Sequence, residues 1–429
     1  MGNVCGESLR TPRIYYGWFI VVSMAAIGFL SSSARGGVYG IFIPLLSEEF
    51  DLSRAAVSLP ASIAVLSGGL MGPFAGWIFD RFGGRKVITS TLVLLALSIA
   101  SLRYTNSLIF LIAFYGILAP VFGSGNFMPI IAALVSRWFY RHRATAIGIV
   151  LGGTSMGSLF MLPLITRILF ITDWRTTWLI LGILILVAVP LAAAVVRDDP
   201  AVKGLQPYGV PTSGDQHGRA SSYGPLEAKG WQQSLRTAPL WQLMGSFAIC
   251  GFSGMPILIH MIPLGTERGL SPTLAATALG LMGSLNLLGM IFAGPISDRM
   301  QRKTLLGLVY IVLALGYLLL LINGPLGIFS FAIVFGTFIL CTGLLTMGLT
   351  ADIYGVRNLG TILGIVLLCH TLAGSTGTYL AGWLHDLTGN YDLAFTIFGI
   401  CFLGAMPISL SIQERKYSSR FHLQRTRIN

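Results

Sequence analysis

Apolar windows of about 20 residues recur along almost the whole of this chain, the length a helix needs to cross a bilayer. In hydrocarbon every backbone N–H and C=O must be satisfied within its own segment or a closed barrel. The runs are continuous rather than short and alternating, so helices are expected and a barrel is not. Composition agrees: 54% of the 429 residues are hydrophobic and 10% are charged, with a mean hydropathy of +0.77. A soluble chain of that make-up would expose apolar surface it could not cover. The 52 glycines and 19 prolines suit close-packed, kinked membrane helices.

Twelve spans are expected, at roughly 15–45, 55–79, 87–104, 108–136, 144–170 and 175–197, then 240–264, 273–297, 304–323, 326–352, 359–384 and 392–412. They divide the chain into a six-helix half at 1–197, a polar linker at 198–238 and a second six-helix half at 239–429 with a short tail. No cleavable signal peptide is expected, because the first apolar run is too long for one. The five cysteines, Cys5, Cys250, Cys341, Cys369 and Cys401, have no paired spacing and read as small apolar residues.

The net charge of +12 is mostly topological. One set of alternate loops carries Arg81, Arg85, Lys86, Arg137, Arg141, Arg143, Arg299, Arg302, Lys303, the linker cations and the basic tail. The other set carries only Arg54, Arg103, Arg167, Arg175 and Arg268. That bias places both termini and the linker in the cytoplasm of a cell membrane, most simply a bacterial inner membrane. A folded basic face for nucleic acid is not evident.

Between spans two and three stands Gly76-Trp77-Ile78-Phe79-Asp80-Arg81-Phe82-Gly83-Gly84-Arg85-Lys86. A looser copy, Gly294-Pro295-Ile296-Ser297-Asp298-Arg299-Met300-Gln301-Arg302-Lys303, stands between spans eight and nine. Ile147-Gly148-Ile149-Val150-Leu151 in span five likewise matches Leu363-Gly364-Ile365-Val366-Leu367 in span eleven. Six spans plus six, with one motif in equivalent loops, reads as a duplication with parallel topology. Transporters built this way bind cargo between the halves and rock one against the other.

These turns resemble the signature of the major facilitator superfamily, over nearly the whole chain. Three further stretches resemble its monocarboxylate and oxalate/formate porter branch: Arg137-Trp138-Phe139-Tyr140-Arg141-His142-Arg143 leading to Gly148, Pro44–Phe50 followed by Ser53-Arg54, and Gly382–Tyr391. The resemblance implies an all-α membrane fold of two six-helix bundles and alternating access. It also implies that Asp80, Arg81 and Arg85, with Asp298 and Arg299 in the second copy, latch the halves on the cytoplasmic side. Physically, an Asp at the membrane face is suited to accept from N–H groups at the start of a neighbouring helix, and the resemblance implies the start of span eleven, near Asn358–Thr361. The plainer alternative is that the cations only anchor the loops.

Inside the spans the ionisable candidates are Arg35, His260 and His370, and no Asp or Glu lies in mid-membrane. Arg35, among small residues late in span one, offers a fork for a carboxylate or else snorkels outward. The porters carry a lysine near this point. His370 stands where oxalate/formate porters have a substrate lysine, and is either an anion and proton site or a helix-packing residue. His260, near the outer end of span seven, gates or adds interface polarity. Asn126 and Asn286 either line a cavity or join helices, and Tyr39 and Tyr115 are weaker candidates, a tyrosine in a span being more often a packing residue. Met290 occupies the position of the branch's carboxylate-binding arginine, which points to a more apolar anion. The expectation is a monomeric secondary carrier of a small organic anion, proton-coupled or exchanging; the alternative is proton-linked efflux of hydrophobic compounds. No ATP-binding loop, metal cluster or nucleophile is visible, so no cofactor and no enzyme activity are expected.

Overall fold

The computed structural model describes residues 15–34, 36–124, 127–210 and 224–419. Arg35 and Asn126, both expected at the site, lie outside these described residues.

Among the described residues twelve helical stretches follow in order: α1 (Tyr16–Glu49), α2 (Arg54–Phe82), α3 (Gly84–Ser101), α4 (108–124 and Phe127–Trp138), α5 (Arg143–Ile171), α6 (Trp174–Val195), α7 (Ala238–Glu267), α8 (Pro272–Arg299), α9 (Arg302–Leu319), α10 (Pro325–Tyr354), α11 (Leu359–Thr388) and α12 (Asp392–Ser411). Among the described residues, ten helices are long and apolar enough to cross a membrane by themselves. α4, divided into shorter pieces, and the 29-residue α5 make up the twelve.

Local chemistry sets the ends. Ser53, Ser107, Asp173 and Ser271 accept from the backbone N–H three residues on and start α2, α4, α6 and α8. Gly83, Gly355 and Gly389 end α2, α10 and α11 with φ of 85°, 67° and 74°, a region that costs glycine nothing.

Two of the twelve depart from a plain helix. α1 loosens to a 3₁₀ turn at Ser32–Ala34, where the small, polar run Ser31–Ser33 begins. The Ser32 and Ser33 hydroxyls turn back onto the carbonyls of Phe29 and Leu30, a local alternative that competes with the helix. α4 is widened over Ile112–Leu118 and Pro120–Ser124.

Packing repeats with the duplication. In the first half α1 lies on α5, α2 on α4, and α3 on α6; in the second α7 lies on α11, α8 on α10, and α9 on α12. The two most extensive pairs between the halves are α2 with α11 and α5 with α8, and each is the other's equivalent. At the end away from the linker, α1 and α6 are clipped by Glu49–Arg175 at 2.6 Å. There α7 and α12 are clipped by Arg268–Asp392 at 2.8 Å. The polarity is reversed between copies and the geometry is kept.

Candidate functional site

The linker, both Asp-Arg turns and the first and last described residues, Tyr15 and Ser419, meet at one end of the bundle. There α5 and α11 start without caps of their own: neither His142 nor Asn358 makes a side-chain cap bond. The first N–H groups of a helix need partners, and each helix takes them from the opposite half.

Asp80 of α2 accepts from the N–H of Gly360 (3.2 Å), the N–H of Thr361 (2.9 Å) and the Thr361 hydroxyl (2.9 Å). Asp298 of α8 accepts from the N–H of Ala144 (3.2 Å), the N–H of Thr145 (3.0 Å) and the Thr145 hydroxyl (2.6 Å). The two arrangements match atom for atom. Each carboxylate also faces the positive end of a helix dipole.

Close backbone approach makes this reach possible. A Cβ on Gly76 would collide with the Gly360 carbonyl, and one on Gly364 with Gly72. On the other seam Gly148 lies against the Met290 carbonyl and Gly294 against Thr145. Small residues are what bring membrane helices this near.

A buried charge network backs the Asp298 side. Arg302 binds Asp298 (3.0 Å), Ser297, the Gly348 carbonyl and Asp352. Asp352 also binds Arg143 of the first half at 2.9 Å, and Arg143 donates to the Phe139 carbonyl. Arg143, Arg302 and Asp352 are each at most 2% exposed. The Asp80 side is lighter, with Arg137 at 3.7 Å and stacked on Phe79.

One layer out, an acid after the sixth helix of each half caps the third. Asp198 accepts from the Arg85 N–H at 2.6 Å. Glu414 accepts from the N–H groups of Arg302 (3.1 Å) and Lys303 (2.9 Å). Burial pushes the Glu414 carboxyl above its usual range, and those two N–H bonds pull the other way.

The linker docks on the loops that precede α5 and α11. The Tyr208 carbonyl accepts from the N–H groups of Tyr140 and Arg141, and Tyr208 N–H donates to the Trp138 carbonyl. Further along, Glu227 Oε1 accepts from the Arg357 N–H at 2.8 Å, and the Asn358 side chain donates to the Ala228 carbonyl. The Tyr140 hydroxyl reaches across the halves to the Ser419 carbonyl at 2.9 Å.

The other candidates are placed as follows. Arg81 is exposed and lies over the Trp77 and Phe82 rings, not on a carboxylate. Arg85 and Arg299 are exposed. Among the described residues their side chains show no ion pair. His370 stacks on Phe247 and its Nδ1 meets the Phe247 carbonyl at 2.9 Å, while Nε2 makes no hydrogen bond among the described residues. His260 has both ring nitrogens occupied, by the Tyr391 hydroxyl and the Thr378 carbonyl. Tyr39 is buried against Tyr115, and its hydroxyl donates to the Val57 carbonyl. Asn286 donates to the Met282 carbonyl of its own helix. Met290 is 1% exposed, so in this state it is packed in the α5–α8 seam and is not an open wall.

Sequence reasoning did not single out Arg143, Asp352, Arg302, Asp198 or Glu414. A signal was there: an acid three residues from the end of a long apolar run, facing loops with several arginines.

The major facilitator superfamily model matches residues 24–377. The chain belongs to that superfamily. An uncharacterized MFS-type transporter YcxA of Bacillus subtilis is 25% identical over 93% of this chain and 95% of its own. Monocarboxylate transporter 12 of Rattus norvegicus is 28% identical, covering 92% of this chain and 85% of its own. Among solved structures, the proton:xylose symporter XylE superposes with a TM-score of 0.73 at 15% identity, covering 92% of this chain and 96% of that one. The superfamily transporter FucP gives 0.70 at 16%, covering 92% and 99%. The fold is therefore the major facilitator fold, and this superfamily member is a multi-pass membrane transporter, not an enzyme.

Proposed function

We propose that this transporter carries a small organic anion of the monocarboxylate class, proton-coupled or by exchange, through alternating access. The observation that carries the reading is the placement of acids. Among the described residues every Asp and Glu of the spans stands within three residues of a helix end. The interior thus offers cationic or neutral partners only, and a buried cationic cargo would have no counter-charge. Similarity to monocarboxylate transporters over more than nine-tenths of the chain supports the same class.

In this reading Arg35 and the Nε2 face of His370 are the anion contacts, with Asn126 and Asn286 on neighbouring spans. Asp80 and Asp298 are the gating groups: each joins the halves only while the linker end is shut. In this reading the basic loops face the cytoplasm, and the latched arrangement is the state closed to the inside. The unit is 1–197 and 239–429 moving about the 198–238 linker, working as a monomer.

The test is uptake into proteoliposomes of a panel of labelled carboxylates, with and without a pH gradient. Saturable uptake or counterflow of at least one monocarboxylate is expected. Failure of every anion, together with export of a neutral or cationic hydrophobic compound, overturns the reading in favour of efflux.

A further inference from the structure

We propose that α4 changes helical register between the two end states, and that the Ser67 and Ser98 hydroxyls are positioning groups holding it in the wide register while the linker end is closed. The proposal goes beyond the cargo reading and rests only on its alternating-access part.

Over Ile112–Leu118 the backbone of α4 is wound with i→i+5 bonds, and the N–H of Ala119 reaches back to the Phe114 carbonyl. Such turns are rare and are found mostly at functional sites. The duplication does not demand one. α10, the equivalent helix, is α-helical from Pro325 to Tyr354.

The local cause is Pro120. In an α register its missing N–H would orphan the carbonyl of Gly116, and its ring would crowd that carbonyl. Widening relieves the ring. Two hydroxyls from neighbouring helices then meet the carbonyls of the widened segment: Ser67 of α2 donates to Gly116 at 2.6 Å, and Ser98 of α3 donates to Phe114 at 2.8 Å. Gly116 permits this because its Cα faces the Pro60 carbonyl and Ile63 of α2 with little room to spare.

The placement links the two ends of the molecule. α2 carries both Ser67 and Asp80, so the latch and the wide turns share a helix. Taking one residue out of the wide stretch rotates the far part of α4 by about 100° and moves it about 1.5 Å along its axis. Tyr115 sits within the wide stretch and is stacked on Tyr39 of α1 with ring centroids 4.2 Å apart. A register change swings Tyr115 off Tyr39 and remakes the α1–α4 contact. Opening at the linker end is in this way tied to repacking towards the opposite end, and the first half is not a rigid body.

A nitroxide scan of positions 109–122 in the full-length protein, read by oxygen accessibility in lipid, tests this. The parent should show a period longer than 3.6 residues over 112–118. Ser67→Ala with Ser98→Ala should shorten the period to the α-helical value, and Ser67→Thr with Ser98→Thr should restore it. The same shortening is expected in Asp80→Asn with Asp298→Asn, where a spin pair across α5 and α8 reports opening independently. An unchanged period in the hydroxyl-less protein overturns the positioning role. An open linker end with α4 still wide overturns the register change. If the linker end stays shut in the latch variant, the gating assignment fails, and the serine variants still decide the α4 claim without reference to cargo.

Discussion

At the scale of single residues, Asp352 holds the most concentrated responsibility. It is the one carboxylate that Arg143 and Arg302, from opposite halves, both contact. Replacing it by Asn leaves two buried guanidiniums with too little negative charge. Breaking a buried pair in this way costs about 3–5 kcal/mol, so Asp352→Asn should lower the melting temperature in detergent well below that of the neighbouring surface variant Arg299→Gln. Asp80→Asn removes a charge that three donors address. Hydrogen bonds to charged groups are worth about 1.5–3 kcal/mol each. Losing even one such increment shifts the latch equilibrium about ten- to a hundredfold, and carrier turnover in proteoliposomes should fall by at least that lower factor.

Glu414 makes a different prediction, because burial raises its pKa in the folded protein. A carboxyl raised on folding contributes stability that is present in full below its unfolded value and is lost as pH rises through the folded one. From about pH 4.5 upward the parent should therefore lose more thermal stability than Glu414→Gln, whose curve lacks this component. Parallel melting curves for the two proteins across that window would refute the assignment.

At the scale of helices, the seams are set by glycine. Gly76 and Gly360 face each other where α2 crosses α11, and neither has space for a side chain. Gly76→Val should force the pair apart and hold the linker end open. Alkylation of a cysteine placed at Gly72 from that end should then become faster, with expression preserved.

How far the helices and seams could be foreseen follows from the same physics. Hydropathy and the Gly-x-x-x-Asp-Arg copies were enough for twelve helices and the duplication, while the start of α11 as the partner of Asp80 came from the family resemblance. Asp298 keeps its full donor set although its turn lost the Gly-Gly pair, because the bonds depend on the Asp and the helix start it faces, not on the turn that follows. The wide turns of α4 could not be foreseen: Pro120 marks a disturbance, but the serines that settle it lie on other helices. The partners of His260 could not be foreseen for a related reason. A polar side chain in a span reads as a ligand site until the carbonyl it answers is known, and His260 answers two groups at once.

At the scale of the whole molecule, the hydrogen bonds and ion pairs described between the halves gather at the linker end, while the ion pairs at the opposite end stay within a half. That distribution suits a body that opens at one end and then the other. It also predicts that combining Asp80→Asn with Asp298→Asn should exceed the sum of the single effects on opening, since either carboxylate alone still pins one seam. A spin pair across α5 and α8 would read the populations.

The docked linker has a further consequence. Its first stretch is hydrogen-bonded to the loop before α5 and its last to the loop before α11, so each half keeps the strand that steadies its own latch loop. Covalent continuity through 211–223 is then not what registers the halves on one another. Two polypeptides, 1–210 and 224–429, made together in one cell should find each other in the bilayer and restore a working carrier. A gene encoding this protein could be cut in two there and still be read as one machine.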